Sequence, residues 1–188
     1  FIEGPYKEAT VADSSHATRD SSYAQEGVLI LLMHDGRLEV VSTTSPQFDS
    51  VKNALESMSG FCHVLAVLSH KAKRCSPSTS AAETISAVAG KEICQLVNLR
   101  LTEVLGHGIL TPHLRPAPLS VLRDIQESSS YIIPMDHLTD CRDLFQLVIG
   151  EKGTPQDRYQ RLYVLMLRED RVKQAIRYFI WIPTSAML

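Results

Sequence analysis

Apolar residues along the chain fall into short runs and into longer periodic stretches. Short runs bounded by polar turns are typical of buried strands. His34-Asp35-Gly36-Arg37 contains a D-G turn signal, which predicts that the run 28–33 pairs with the run 38–43. The runs predicted as strands are 6–12, 28–33, 38–43, 62–69, 131–138 and 176–182.

Apolar residues spaced three and four positions apart predict helices between these runs. The longest covers 81–105, and its predicted buried face consists of Ile85, Val88, Ala89, Ile93, Leu96, Val97 and Leu101. The other predicted helices are 45–58, 119–126 (one or two turns), 141–149 and 157–172. Three prolines make 111–118 a predicted surface connection. A length of 188 residues fits one domain over 1–188.

The start of the 81–105 helix carries one acid, Glu83. Ser78, Thr79 and Ser80 before it are all competent N-caps. Glu83 is then expected in the first turn, where an acid serves the helix dipole. It could instead point into a site beside the sheet that the helix covers, and the residues alone leave both interpretations open.

Composition narrows the class of protein. Apolar residues make up 44% and charged residues 21%, values typical of a folded globular chain. The formal net charge of −2 shows no global bias towards nucleic acid. Any such binding would rest on a local basic patch, and Lys71, Lys73 and Arg74 form the best one.

Cysteine usage and hydropathy bear on the compartment. The four cysteines form no C-x-x-C pair, so we expect reduced thiols and no zinc site: Cys62, Cys75, Cys94 and Cys141. This predicts an intracellular, reducing location, with an organelle interior as an alternative. No apolar run approaches the roughly 20 residues that span a bilayer, so we predict no membrane span.

The stretch Ser69–Glu92 combines a basic run, small residues, Ala-Glu-Thr and a long helix. In this order it resembles the ribonuclease H segment of copia-type retrotransposon polyproteins, in the version common in protists and algae. The resemblance implies that Glu83 is a metal-binding catalytic acid. Outside this stretch it is clearest near the end, in Trp181-Ile182-Pro183-Thr184, and weak over 44–61.

Two further acids occur in the order of that family. Asp13 follows the first predicted strand, and Asp140 ends the strand 131–138 in Thr139-Asp140-Cys141. Asp136 is a rival for the second position, but Asp140 lies at the strand's C-terminal end, where an acid can reach into a site. The resemblance places a fourth acid and a terminal helix just beyond Leu188.

The resemblance implies a ribonuclease H-like mixed five-stranded sheet flanked by helices, lacking the family's C-terminal helix and carrying an extra helix at about 45–59. Asp13, Glu83 and Asp140 would hold two Mg²⁺ ions, with Mn²⁺ as an alternative, for hydrolysis of the RNA strand of an RNA–DNA hybrid or RNA. Asp13 would bridge the two ions. Lys71, Lys73 and Arg74 would touch the hybrid's backbone.

Each of these residues also has a simpler interpretation. Asp13 alone is a solvated strand-end acid, Asp140 is the N-cap of the 141–149 helix, and the basic run is a solvated face. Near-neutral charge and the extra helix favour a second hypothesis. In it the chain is a catalytically inactive ribonuclease H-like domain, without cofactor, serving as a structural or interaction subunit among other protein subunits.

Overall fold

The computed structural model describes residues 6–15, 23–35, 62–75, 78–105, 119–128 and 131–184. Its strands are β1 (Tyr6–Ser15), β2 (Tyr23–His34), β3 (Cys62–Cys75), β4 (Met135–Thr139) and β5 (Tyr178–Trp181). Its helices are α1 (Thr79–Leu105), α2 (Leu119–Ser128), α3 (Arg142–Ile149) and α4 (Arg158–Val172). The predicted strand 38–43, extra helix 45–59 and connection 111–118 lie outside the described residues.

The five described strands form one mixed sheet in the order β3-β2-β1-β4-β5. The pairs β1–β2 and β2–β3 are antiparallel, whereas β1–β4 and β4–β5 are parallel. This confirms the predicted ribonuclease H-like α/β fold. Both edges of β2 are occupied by β1 and β3, so the pairing with 38–43 predicted from the D-G turn is wrong for 28–33.

Helices α1 and α3 pack against one face of the sheet, and α4 packs against both of these helices. Their apolar side chains share a core with Ala12, Val28 and Ile30 of the first two strands. A second buried cluster joins the strands through Ala9, Leu31, Met33, Leu138 and Ile182. Among the described helices, none is long and apolar enough to cross a membrane.

Helix α1 lies unusually close to β1, and Gly90 makes this approach possible. A Cβ atom at Gly90 would lie 2.9 Å from Thr10 Cγ2 and 3.3 Å from Ala12 Cβ. The buried side of α1 is therefore built largely from small or polar residues, including Ala87, Cys94, Asn98 and Thr102. The predicted apolar face is partly wrong, because Leu96 is 57% exposed. Large side chains would not fit under a helix held this close.

Strand boundaries also differ from the prediction around the polar segment 14–27. Strand β1 continues through Asp13 to Ser15, and β2 begins at Tyr23. Ser14 and Glu26 in this segment are buried, although residues of these types are mostly exposed in folded proteins. Polar side chains can be buried where they find partners, and Ser14 finds one in α1.

Candidate metal centre

Three carboxylates from three elements meet at one end of the sheet. Asp13, Glu83 and Asp140 each offer an oxygen, and these oxygens all lie within 4.8 Å of one another. Asp13 is exposed, Asp140 is half-buried and Glu83 is buried. The cluster is therefore open on one side and anchored in the core on the other.

The parallel register of β1 and β4 brings two of these acids side by side. Val11 lies opposite Leu138 in this register. Continuing both strands by two residues places Asp13 beside Asp140. Neighbouring strands are about 4.8 Å apart, so both carboxylates reach the same point beyond the sheet. Asp13 lies within β1 rather than after it, because the strand runs on to Ser15.

Glu83 comes to the cluster from α1. Ser78 caps this helix, since its hydroxyl accepts a 3.1 Å hydrogen bond from the Ala81 N–H. Glu83 is thus beyond the first turn, which contains no acid, so the expectation that it lies in the first turn is wrong. Its carboxylate turns to β1 instead. Glu83 Oε1 accepts from the Ser14 hydroxyl at 2.9 Å and from the Ser14 N–H at 3.3 Å.

The surroundings of Glu83 disfavour the charged form of its carboxylate. Burial raises the pKa of Glu83 from its usual 4.5 to about 7; the Ser14 hydroxyl bond opposes this shift, and the charges of Asp13 and Asp140 add to it. Glu83 Oε2 is buried without a hydrogen-bond partner. A cation among the three acids would supply the missing partner and favour the charged form.

Asp140 is fixed by the last residue of β5, Trp181, and by Thr184 after it. Asp140 Oδ2 accepts a 2.9 Å hydrogen bond from the Thr184 hydroxyl. The Trp181 indole N–H donates to the Asp140 carbonyl, also at 2.9 Å. The simpler interpretation made Asp140 the N-cap of the next helix, and this is wrong. Cys141 takes that role, with its Sγ accepting from the Leu144 N–H.

Asp136, the rival of Asp140, has a different environment. It is fully buried, and both of its carboxylate oxygens accept hydrogen bonds from Arg177, at 2.9 and 2.8 Å. Lys7 Nζ lies 3.6 Å from Asp136 Oδ2. These cations neutralise Asp136 in the structure, and it is not among the three clustered acids.

A second group of polar side chains supports the cluster, and the sequence patterns did not predict it. The Ser86 hydroxyl donates to the Asp13 carbonyl at 2.9 Å, which ties α1 to the end of β1. The Ser80 hydroxyl accepts from Gln160 at 3.0 Å and donates to Asp143 at 2.6 Å, which joins the starts of α1, α3 and α4. The spacing of Ser80, Glu83 and Ser86, three residues apart on one helical face, was the available signal.

The basic run lies within β3, because this strand continues beyond the predicted strand 62–69 to Cys75. Lys71 is exposed and lies opposite Gln25, which in turn lies opposite Ser15. This row crosses the sheet at the end where the acids meet. The backbones of Lys73 and Arg74 continue β3 in the same direction, and the structure describes no more of them.

Comparison with known proteins adds no relative. No family model, no curated protein and no solved structure matches the chain.

The geometry of the cluster fits a hard divalent cation. Three carboxylates provide the oxygen ligands that Mg²⁺ and Mn²⁺ prefer, and the exposed Asp13 leaves one side of the cluster open to solvent. The unpartnered oxygen of Glu83 is the strongest local sign, because buried carboxylate oxygens normally have a partner. The acidic cluster can therefore hold a metal ion.

Proposed function

We propose that this chain is a retroelement-derived ribonuclease H-like domain that hydrolyses the RNA strand of RNA–DNA hybrids. The observation that carries the proposal is the convergence of Asp13, Glu83 and Asp140 within 4.8 Å, at one end of a sheet ordered β3-β2-β1-β4-β5. Divalent ions bound by such carboxylates activate water and stabilise the charge on the phosphate and leaving oxygen.

The chain's own residues have separate tasks in this proposal. Asp13, Glu83 and Asp140 hold the ions, and Asp13, the exposed member, faces the substrate side. Ser14 orients Glu83 through two hydrogen bonds, and Thr184 orients Asp140 through one. The supporting hydroxyls keep the acids in place before the substrate arrives, which lowers the cost of reorganising them during the reaction.

Binding of the hybrid is assigned to the basic end of β3. The three cations belong to β3, which terminates at the same end of the sheet as the acids: Lys71, Lys73 and Arg74. Cations there would contact phosphates of the hybrid, whose A-like shape and 2′-hydroxyls mark the RNA strand. Replacing the three by Ala is expected to weaken binding and to reduce the salt dependence by up to about three phosphate contacts.

The test is a single-turnover assay with the protein in excess over a labelled hybrid, so that slow cleavage is detected. We expect weak Mg²⁺- or Mn²⁺-dependent cleavage of the RNA strand, lost on Asp13→Asn, Glu83→Gln or Asp140→Asn. Asp157→Asn is the control, since Asp157 is not one of the three clustered acids and Asn caps α4 equally well. Cleavage unaffected by Asp13→Asn would place the site elsewhere.

Absence of cleavage would favour the second hypothesis over the enzyme proposal. A folded chain that binds divalent cations and hybrid but leaves the RNA strand intact would contradict the enzyme proposal. The second hypothesis, a catalytically inactive domain serving as a subunit of a larger assembly, would then replace it. Circular dichroism and thermal unfolding of each variant show that a loss of cleavage is not a loss of fold.

A further inference from the structure

Helix α4 is apolar on two opposite sides. Its inner side packs into the core through Val164 and Leu167, which are fully buried. Its outer side also carries large apolar residues, and all of them are exposed: Tyr159 62%, Leu162 50%, Leu165 44%, Met166 37% and Val172 82%. A surface helix normally turns polar residues outward, and contiguous exposed apolar residues mark an interaction surface.

The outer side of α4 has a regular order of charge. Arg158, Leu162, Leu165 and Glu169 follow at intervals of four, three and four residues, which is the spacing of a coiled-coil seam. The seam thus has a cation at one end, two leucines in the middle and an anion at the other end. All four residues are exposed. The intervals read the same in both directions, so the seam can pair with itself.

We propose that this seam is a homodimerisation surface, on which α4 packs antiparallel against α4 of a second copy of the chain. In that arrangement Leu162 faces Leu165 of the second copy, and Arg158 faces Glu169 of the second copy. Two-fold symmetry repeats both contacts. Tyr159 and Met166 flank the seam and meet across the same axis.

Self-complementarity is the reason to choose a second copy as the occupant. An unrelated partner would need no symmetric order of charges on this face. In the single chain Glu169 is held by Lys173, with 2.6 Å between Oε1 and Nζ. This is an exposed ion pair between residues four apart, which contributes little on its own and can be exchanged for Arg158 of the second copy.

The size of the surface fixes the expected strength. A helix of 15 residues is roughly 22 Å long, and two such helices bury less than the about 1,600 Å² of a standard interface. The dimer is therefore weak and concentration-dependent. The seam lies opposite Gln160, the α4 residue that contacts the start of α1, so pairing does not need the acid cluster.

The test is sedimentation equilibrium of the chain from about 1 to 500 μM, a range that covers weak association. We expect a monomer–dimer equilibrium. Arg158→Glu or Glu169→Arg alone should weaken it at least about tenfold, because symmetry creates two like-charge contacts for each change. The combined Arg158→Glu, Glu169→Arg variant should recover the dimer. Leu165→Asp should abolish it.

The control exchanges the charges of Arg123 and Glu127, an exposed ion pair on α2 with the same four-residue spacing. This exchange should leave the dimer constant unchanged. A chain that stays monomeric throughout the range overturns the proposal. So does a double exchange on α4 that is as weak as the single changes, because the loss would then not depend on Arg158 facing Glu169. Neither result depends on nuclease activity.

Discussion

The Ser14 hydroxyl donates a 2.9 Å hydrogen bond to Glu83 Oε1, and this contact joins the end of β1 to the second turn of α1. It leaves Glu83 Oε2 buried and without a partner. The helix thus places a carboxylate where the strand can hold one oxygen and a cation can take the other. The contribution of Glu83 to the pH dependence of stability follows from this arrangement.

The first prediction concerns stability and pH. Because the pKa of Glu83 is raised to about 7 in the folded chain, the folded state holds a proton that the unfolded state releases near 4.5. Stability is therefore greatest below about pH 4.5 as far as Glu83 is concerned, and falls as the pH rises to about 7. Glu83→Gln should remove this fall, worth up to a few kcal/mol.

Urea unfolding of wild type and Glu83→Gln at several pH values measures this effect. Glu8 serves as the comparison, since burial also raises its pKa to about 7 and Cys94 Sγ donates to it at 3.1 Å. Mg²⁺ should restore stability at high pH in wild type and in Glu8→Gln, but not in Glu83→Gln. If Mg²⁺ restored stability equally in all three proteins, Glu83 would not be a ligand of the metal.

The second prediction concerns the approach of α1 to β1. Gly90→Ala should destabilise the fold by about 1–3 kcal/mol, because the new Cβ would lie 2.9 Å from Thr10 Cγ2. In an exposed helix the same change stabilises by about 1 kcal/mol. The sign of the change in unfolding free energy therefore shows whether α1 lies this close to β1. Gly153→Ala is the control, because a Cβ added at Gly153 would have no atom within 4 Å. A more stable Gly90→Ala chain would show that the helix sits farther away.

The third prediction concerns His137 in β4. Its ring is fully buried, stacks on Phe179 at 4.8 Å, and its two nitrogens have no hydrogen-bond partner. Burial lowers the pKa of His137 from 6.5 to about 3, so the folded chain keeps it neutral. This contribution to stability is complete above pH 6.5 and is lost as the pH falls towards 3.

His137→Phe keeps the stacked ring and removes the titration. Between about pH 6 and 4, the slope of its unfolding free energy against pH should be lower than that of wild type by about 1.4 kcal/mol per pH unit. Glu8 and Glu83 act in the opposite direction over this range, so the two slopes are compared within one series of buffers. Identical slopes would mean that the buried ring is protonated in the folded chain.

The sequence predicted the elements better than the contacts between them. Apolar runs and helical spacing located α3, α4 and β5 within a few residues, because each has a clear cap, stop or core pattern. The burial of α1 was less predictable. Its close packing on β1 depends on Gly90 and small neighbours, whereas the periodic large residues included Leu96, which is exposed.

The candidate site shows the same division. Resemblance in order and spacing named Asp13, Glu83 and Asp140, and the structure brings their oxygens together. It could not name Ser14, Ser86 or Thr184, because their roles arise from contacts across the sheet and helix. Lys73 and Arg74 remain a prediction in which the backbone path along β3 is described and their contacts are not.

Direct titration of Mn²⁺ and Mg²⁺ into the chain, followed calorimetrically in two buffers of different ionisation enthalpy, tests the central claim that these three acids form a metal centre. We predict binding that tightens from pH 6 to 8 with proton release, because the pKa of Glu83 is about 7. Asp13→Asn, Glu83→Gln and Asp140→Asn should each weaken it at least about tenfold, and Asp157→Asn should not. Wild-type affinity in all three acid variants would contradict the account.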